Sequence, residues 1–156
     1  MSYPRWINQE QNLREVAPGL YVGNEFAPGS ERVRFGIIVD LCGSSASLPE
    51  LYPPYASLLR IPLIDGEPIP TEVLEEVYDA VWSGQRRQLP VLIHCVMGLS
   101  RSASAAYGML RTIYGLKHRE ALLRVVTPEG LADGYPLRET LRSVSRWADA
   151  RQRDMA

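Results

Sequence analysis

Nine consecutive residues hold the densest chemistry in this chain: His94-Cys95-Val96-Met97-Gly98-Leu99-Ser100-Arg101-Ser102. A cysteine, a glycine three positions on, an arginine six positions on and a serine beside it form a set that can bind an anion and attack it. The apolar run Pro90-Val91-Leu92-Ile93 before the set reads as a buried strand. The small apolar run Ala103 to Leu110 after it reads as a buried helix. A strand thus delivers a cysteine into a tight loop that opens directly into a helix. In that arrangement successive backbone N–H groups and the positive end of the helix converge on one spot. The spot binds an anion and pushes a thiol towards thiolate.

The partners of Cys95 then take roles. The planar fork of Arg101 can hold two oxygens of a tetrahedral oxyanion while the sulfur faces its central atom. Gly98 lets the backbone turn and come close to a ligand. The N–H groups of Val96, Met97, Gly98, Leu99, Ser100 and Arg101 are the candidate binding groups, and Ser102 can donate a hydrogen bond to the sulfur. The bland alternative is a buried structural cysteine beside a helix capped by Ser100. Cysteine, glycine and arginine at these offsets outweigh it.

Cleaving a phosphate ester requires a proton for the departing oxygen. Asp65, in Ile64-Asp65-Gly66-Glu67-Pro68, is the candidate donor: it lies past a predicted strand, in a loop that Gly66 allows to move. Glu67 is its competitor, and a turn-capping aspartate is the bland alternative. His94 precedes the nucleophile, so strand alternation turns its side chain away from the substrate, into a supporting place behind the loop. His118 reads as the start of a surface helix. A zinc site from His94, Cys95, Cys42 and His118 matches no ligand spacing, so no metal is expected. Cys42 reads as a small buried residue at a strand end.

These residues need a frame. At 156 residues the chain is long enough for one full core and not for two. We expect an arm over residues 1–15, pinned by Trp6 and Ile7, one domain over 16–151, and a tail over 152–156. The net charge of −1 implies no general affinity for nucleic acid or anionic membrane. No apolar run approaches a membrane span of about 20 residues. Met1 to Glu10 lacks a signal-peptide layout, and two cysteines without one fit a reducing cytoplasm.

Strands are predicted within Val16–Gly23 after a turn at Pro18-Gly19, at Phe35–Leu41, at Leu58–Leu63 and before Cys95. A helix is predicted from Thr71, with Thr71 as its cap and Val73, Leu74, Val77, Tyr78, Val81 and Trp82 as its buried face. Ser83-Gly84 marks its end, unless Gln85–Gln88 add a turn. Further helices are expected over Ser100–Tyr114, His118–Val126 and Pro136–Arg151, with a loop over Glu129–Tyr135. Alternation of this kind implies an α/β fold: a mainly parallel sheet of four or five strands with helices on both faces. Ligands bind such sheets beyond the carboxyl ends of the strands. Cys42, Asp65 and Cys95 all lie there.

The run His-Cys-x-x-Gly-x-x-Arg-Ser resembles the phosphate loop of the cysteine-dependent protein tyrosine phosphatases, and HCVMGLSRSASAAYGML resembles the dual-specificity branch. Gly19-Leu20-Tyr21-Val22-Gly23 is similar to the opening strand of that branch. The resemblance spans about Val16 to Trp147 and is dense only around the loop. It implies that Cys95 attacks phosphorus, that Arg101 and the loop hold the oxyanion, and that Asp65 is the general acid. It implies no cofactor and a phosphorylated protein or peptide as partner, carrying phosphotyrosine, phosphoserine or phosphothreonine. Phosphate, sulfate or vanadate should occupy the same loop. Val96, Met97, Leu99 and Ser100 carry no positive charge, which favours phosphoprotein over phosphoinositide. Small phosphorylated metabolites remain an alternative, as does a silent phosphate-binding module. A low-molecular-weight phosphatase would place its loop near the N-terminus, and a rhodanese-like sulfur transferase would leave Asp65 and Ser102 idle.

The run Val39-Asp40-Leu41-Cys42 looks like the segment that carries a second, redox-active cysteine in related phosphoinositide phosphatases. This implies a reversible Cys42–Cys95 bridge, provided the two strands are neighbours. The chain departs from the branch over Thr127–Pro136, where the proline and the Gly-aromatic pair survive in outline but an expected asparagine does not, so the resemblance there carries the chemistry and not the support of the loop from behind.

Overall fold

The computed structural model describes residues 12–43 and 48–155. Trp6, Ile7 and the rest of the expected arm up to residue 11 lie outside the described residues, as do Ser44 and Ser45 after Cys42.

Five four-residue strands form one sheet: β1 (Arg14–Ala17), β2 (Leu20–Gly23), β3 (Ile37–Asp40), β4 (Ser57–Arg60) and β5 (Val91–His94), in the order β1-β2-β5-β3-β4. The sheet is mixed. β1 and β2 form an antiparallel hairpin through Pro18-Gly19, with Gly19 at a φ of 80° as its turn demands. The sequence pattern suggests one strand there, and two are present. The β2–β5, β3–β5 and β3–β4 pairs are parallel. β3 and β5 are buried at every position, which is why each opens with three apolar branched residues in a row, while their last residues, Asp40 and His94, are buried polar groups.

From β3 the chain steps outward to β4. It then returns through α1 (Thr71–Arg87) to place β5 on the other flank of β3. This reversal opens a crevice at the carboxyl end of β5.

Four more helices follow β5: α2 (Arg101–Thr112), α3 (His118–Val125), the short α4 (Pro128–Ala132) and α5 (Arg138–Met155). All twelve residues of α2 are buried. Its small residues let the other helices come close: a Cβ on Gly108 would lie 2.5 Å from Val144 Cγ1 on α5. Among the described residues no helix is long and apolar enough to cross a membrane.

Local chemistry moves several expected boundaries. Pro70, not Thr71, is the N-cap of α1, and no side chain caps it. The helix runs through Gly84 to Arg87 and ends with Gln88 in the left-handed region. Gly84 is a contact point rather than a stop, since a Cβ there would meet Val91 Cγ2 at 2.3 Å. Leu74, Val77 and Val81 form the buried face of α1, whereas Trp82 is exposed. The expected loop after Pro128 contains α4, because Thr127 Oγ1 accepts the Gly130 N–H and nucleates a turn. His118 is held rather than free: its Nδ1 lies 2.6 Å from the Tyr107 hydroxyl.

Candidate active site

β5 ends at His94, and Cys95 is the next residue, at the mouth of the crevice. The loop to α2 turns at Gly98, whose φ is 74°. A Cβ at Gly98 would lie 2.7–2.9 Å from Gly23 and Asn24 backbone atoms at the end of β2, so only glycine fits. Three loop carbonyls are tied from that side. Val96 O accepts the Glu25 N–H at 3.0 Å, Met97 O accepts Asn12 Nδ2 at 2.7 Å, and Gly98 O accepts Arg14 Nη2 at 2.9 Å. In a trans peptide the following N–H points opposite to the carbonyl. The Met97, Gly98 and Leu99 N–H groups therefore point away from these supports.

The Cys95 sulfur lies 3.1 Å from Ser102 Oγ and accepts the Ser102 N–H at 3.5 Å. Ser102 is in the first turn of α2, where backbone N–H groups lack helical acceptors. Arg101 Nη1 donates to Leu63 O at 2.8 Å and to Leu41 O at 3.3 Å. Its Nε makes an ion pair with Asp65 Oδ1 at 3.6 Å, too long for a hydrogen bond, and is buried without a hydrogen-bond partner. Asp65, Cys95, Val96, Met97, Ser100 and Arg101 line one cavity of about 220 Å³.

The loop is also held from behind. Ser100 Oγ accepts the Leu137 N–H at 3.0 Å instead of capping α2. Gly130 of α4 packs against Leu99, where a Cβ would come within 3.2 Å of Leu99 Cδ2. Gly130 of the divergent Thr127–Pro136 segment and Leu137 just after it therefore support the loop.

His94 and Cys42 belong to a different cluster. His94 is fully buried, with Nε2 2.8 Å from the Tyr52 hydroxyl and 3.7 Å from Asp40 Oδ1. Cys42 Sγ lies 3.6 Å from His94 Nδ1. Cys42 follows β3 by two residues but points at this ring and does not line the cavity, unlike Asp65 and Cys95. Burial holds His94 down to about 4, against the upward pull of Asp40. Burial, then the Asp40 carboxylate, pushes the Cys42 thiol up. Both cysteines are free thiols. Strands β3 and β5 are direct neighbours, so the adjacency that a Cys42–Cys95 bridge requires is present.

Asp40, Cys42 and His94 place one potential metal-ligand atom each within 4.8 Å of the others. The Asp40 oxygens already accept the Cys42 N–H at 2.8 Å and Arg60 Nε at 3.0 Å. An internal network thus occupies that donor set. His118 is tied to Tyr107 of α2 instead, so His94, Cys95, Cys42 and His118 do not assemble into one zinc site.

Sequence reasoning passes over Arg14 and Tyr52. Arg14 precedes the Val16–Gly23 run that reads as a strand, and Tyr52 sits among prolines, where no periodicity marks an inward side chain.

No protein-family model matches the sequence, and no curated protein matches it. Solved structures do. Human DUSP28 superposes with a TM-score of 0.69 at 23% identity, covering 92% of this chain and 94% of that one. A mouse putative dual specificity phosphatase complexed with zinc tungstate gives 0.70 at 21% identity, covering 99% and 91%. PTPMT1 in complex with PI(5)P gives 0.65 at 16% identity, covering 92% and 99%. The fold is that of the cysteine-based protein tyrosine phosphatases, with dual-specificity phosphatases among the structures it matches.

Proposed function

We propose that this protein is a metal-independent phosphomonoester hydrolase of the dual-specificity kind, removing phosphate from tyrosine and from serine or threonine in proteins. One observation carries the reading. A cysteine sulfur that accepts hydrogen bonds from the start of a helix shares a cavity with an arginine whose buried Nε has no hydrogen-bond partner. An anionic tetrahedral group satisfies both at once: its central atom faces the sulfur, and its oxygens take the spare donor and the loop N–H groups. Tungstate, named in the mouse relative's complex, is an oxyanion of this type.

In the reaction, the Cys95 thiolate attacks phosphorus in line with the leaving oxygen, and the S–P bond forms as the P–O bond breaks. Arg101 and the loop amides hold the three equatorial oxygens, where charge gathers in a loose transition state. Asp65, 41% exposed at the cavity edge, gives its proton to the leaving oxygen. Water then attacks the phosphocysteine, Asp65 takes its proton, and Ser102 stabilises the departing sulfur by its 3.1 Å contact. The guanidinium and the amides supply the positive field, so the scheme needs no metal. Cys42, one strand over, is the candidate redox partner of Cys95.

A second reading, a phosphoinositide phosphatase, draws on the likeness to PTPMT1 in complex with PI(5)P. The loop positions Val96 to Ser100 carry no cation to meet further headgroup phosphates, which ranks it second. A panel of phosphotyrosine and phosphothreonine peptides, phosphoinositides and nucleotides, assayed with a chelator present, decides. Peptides should be the best substrates by kcat/KM. Turnover of lipid headgroups alone installs the second reading, and phosphate binding without turnover of any of them reduces the protein to a binding module.

A further inference from the structure

Arg14 lies on β1, the edge strand, and makes a set of bonds that β1 itself does not need. Its Nη2 donates to Gly98 O at 2.9 Å and to Val125 O at 2.7 Å, and its Nη1 donates to Asn12 O at 2.7 Å. All three acceptors are carbonyls, so no carboxylate among these bonds neutralises the guanidinium. Val125 is the last residue of α3, where carbonyls lack helical partners and the negative end of the helix dipole favours a cation. A single planar fork therefore joins the end of α3 to the turn of the phosphate loop.

We propose that Arg14 is a positioning residue for the phosphate loop: by holding the Gly98 carbonyl, it turns the Gly98–Leu99 peptide so that its N–H faces the bound oxyanion. The inference rests on the reading of the loop as a phosphate site. Left without Arg14, the peptide can rotate, and a rotated peptide would present a carbonyl to the anion in place of an N–H. Gly98 makes that rotation accessible, because glycine has no Cβ to resist it. The neighbouring peptides have different supports, Asn12 at Met97 O and the Glu25 N–H at Val96 O, so the Gly98 carbonyl depends on Arg14.

The charge adds a second effect. Burial lowers Arg14 to about 10, and the Cys95 sulfur works in the opposite direction. Arg14 remains a cation at neutral pH and attracts an anionic sulfur from beneath the loop. The groups that face the same sulfur from other elements are Ser102 and Arg101 from α2, with Asp65 across the cavity and Cys42 beyond β3. Arg14 adds positive charge on the side opposite the substrate, where it cannot compete for the phosphate.

The test compares Arg14→Met and Arg14→Lys with the wild type in three measurements: binding of inorganic phosphate by isothermal titration calorimetry, the KM and kcat for an aryl phosphate, and iodoacetate inactivation at pH 7. R14M should weaken phosphate binding about tenfold, the scale of one charge-assisted hydrogen bond. Its KM should rise with it, and inactivation should slow several-fold. R14K keeps the charge and loses the fork. It should recover the inactivation rate while phosphate affinity stays below wild type. Wild-type phosphate affinity in a folded R14M, judged by near-ultraviolet circular dichroism, overturns the proposal. If R14M does not fold, wild-type affinity in R14K overturns it equally. Phosphate binding and alkylation need no turnover, so a wild type that hydrolyses nothing would sink the phosphatase reading and leave these two readouts standing.

Discussion

Cys95 and Cys42 sit one strand apart, each just beyond the carboxyl end of a parallel strand, and their surroundings are opposite in character. Both are almost fully buried, at 2% and 0% exposed. Cys95 meets donors: the Ser102 N–H, the Ser102 hydroxyl and a cavity lined by Arg101. Cys42 meets the Asp40 carboxylate, which accepts its own N–H, and a histidine held neutral by burial. Burial alone therefore does not decide a thiol's chemistry here. With burial common to both, the neighbours set the difference: donors face the Cys95 sulfur, while the Asp40 carboxylate adds to the burial that raises Cys42.

The sharpest way to break this contrast is to exchange each sulfur for oxygen. Cys95→Ser should lower aryl phosphate hydrolysis by about 10⁴-fold or more, as loss of a nucleophile does, while phosphate still binds. Cys42→Ser should retain turnover within a few-fold of wild type. Equal losses in initial-rate assays would mean that the two sites act as one unit and that the contrast is false. Asp65→Asn should fall between them, at about 10²–10⁴, with a larger loss for alkyl than for aryl esters.

The loop is legible in the sequence because its shape is specified by contiguous residues. His94 to Ser102 specify strand end, turn and helix start within nine positions, and the structure places Cys95, Arg101 and Ser102 in contact or around one cavity. Asp65 is legible because a glycine and a strand end mark its loop. Arg14 is not, since its acceptors, Gly98 O and Val125 O, lie 84 and 111 positions away and are backbone atoms that carry no side-chain signature. Tyr52 is hidden in the same way, its 2.8 Å contact with His94 spanning 42 positions from a proline-rich stretch. The β1 strand escapes notice because alternation over four residues is weak until a partner strand is known. Trp82 misleads in the other direction: helical spacing predicts a face, but the width of that face depends on what packs against it.

A smaller effect should separate the two clusters by pH. His94, with Asp40, Arg60, Tyr52 and Cys42 around it, is held down to about 4 by burial, while an unfolded histidine titrates near 6.5. Between those values the unfolded chain binds a proton that the folded protein refuses. Stability from this group is therefore fully present above about pH 6.5 and is lost as pH falls towards 4. The loss approaches about 3 kcal/mol. Urea denaturation at pH 7 and pH 4.5 should show this loss in wild type and a smaller one in His94→Gln, whose side chain does not titrate. Identical pH dependence in both would show that His94 carries a proton in the folded protein and that the rear cluster is not held neutral.

The smallest expected effect tests which force keeps Cys42 quiet. Burial is the larger cause of its raised thiol and the Asp40 carboxylate the smaller. Asp40→Asn removes the charge while leaving the burial and an oxygen that can still accept the Cys42 N–H. Iodoacetamide labelling read by peptide mass spectrometry should then show Cys42 reacting only a few-fold faster, still well behind Cys95. Arg60, whose side chain is 39% exposed, exchanges its ion pair for water, so the fold should survive with a modest loss. If D40N instead brought Cys42 level with Cys95, charge rather than solvent exclusion would govern the rear site. The contrast between the two thiols would then reduce to a single carboxylate, and the dipoles around Cys95 would have little left to explain.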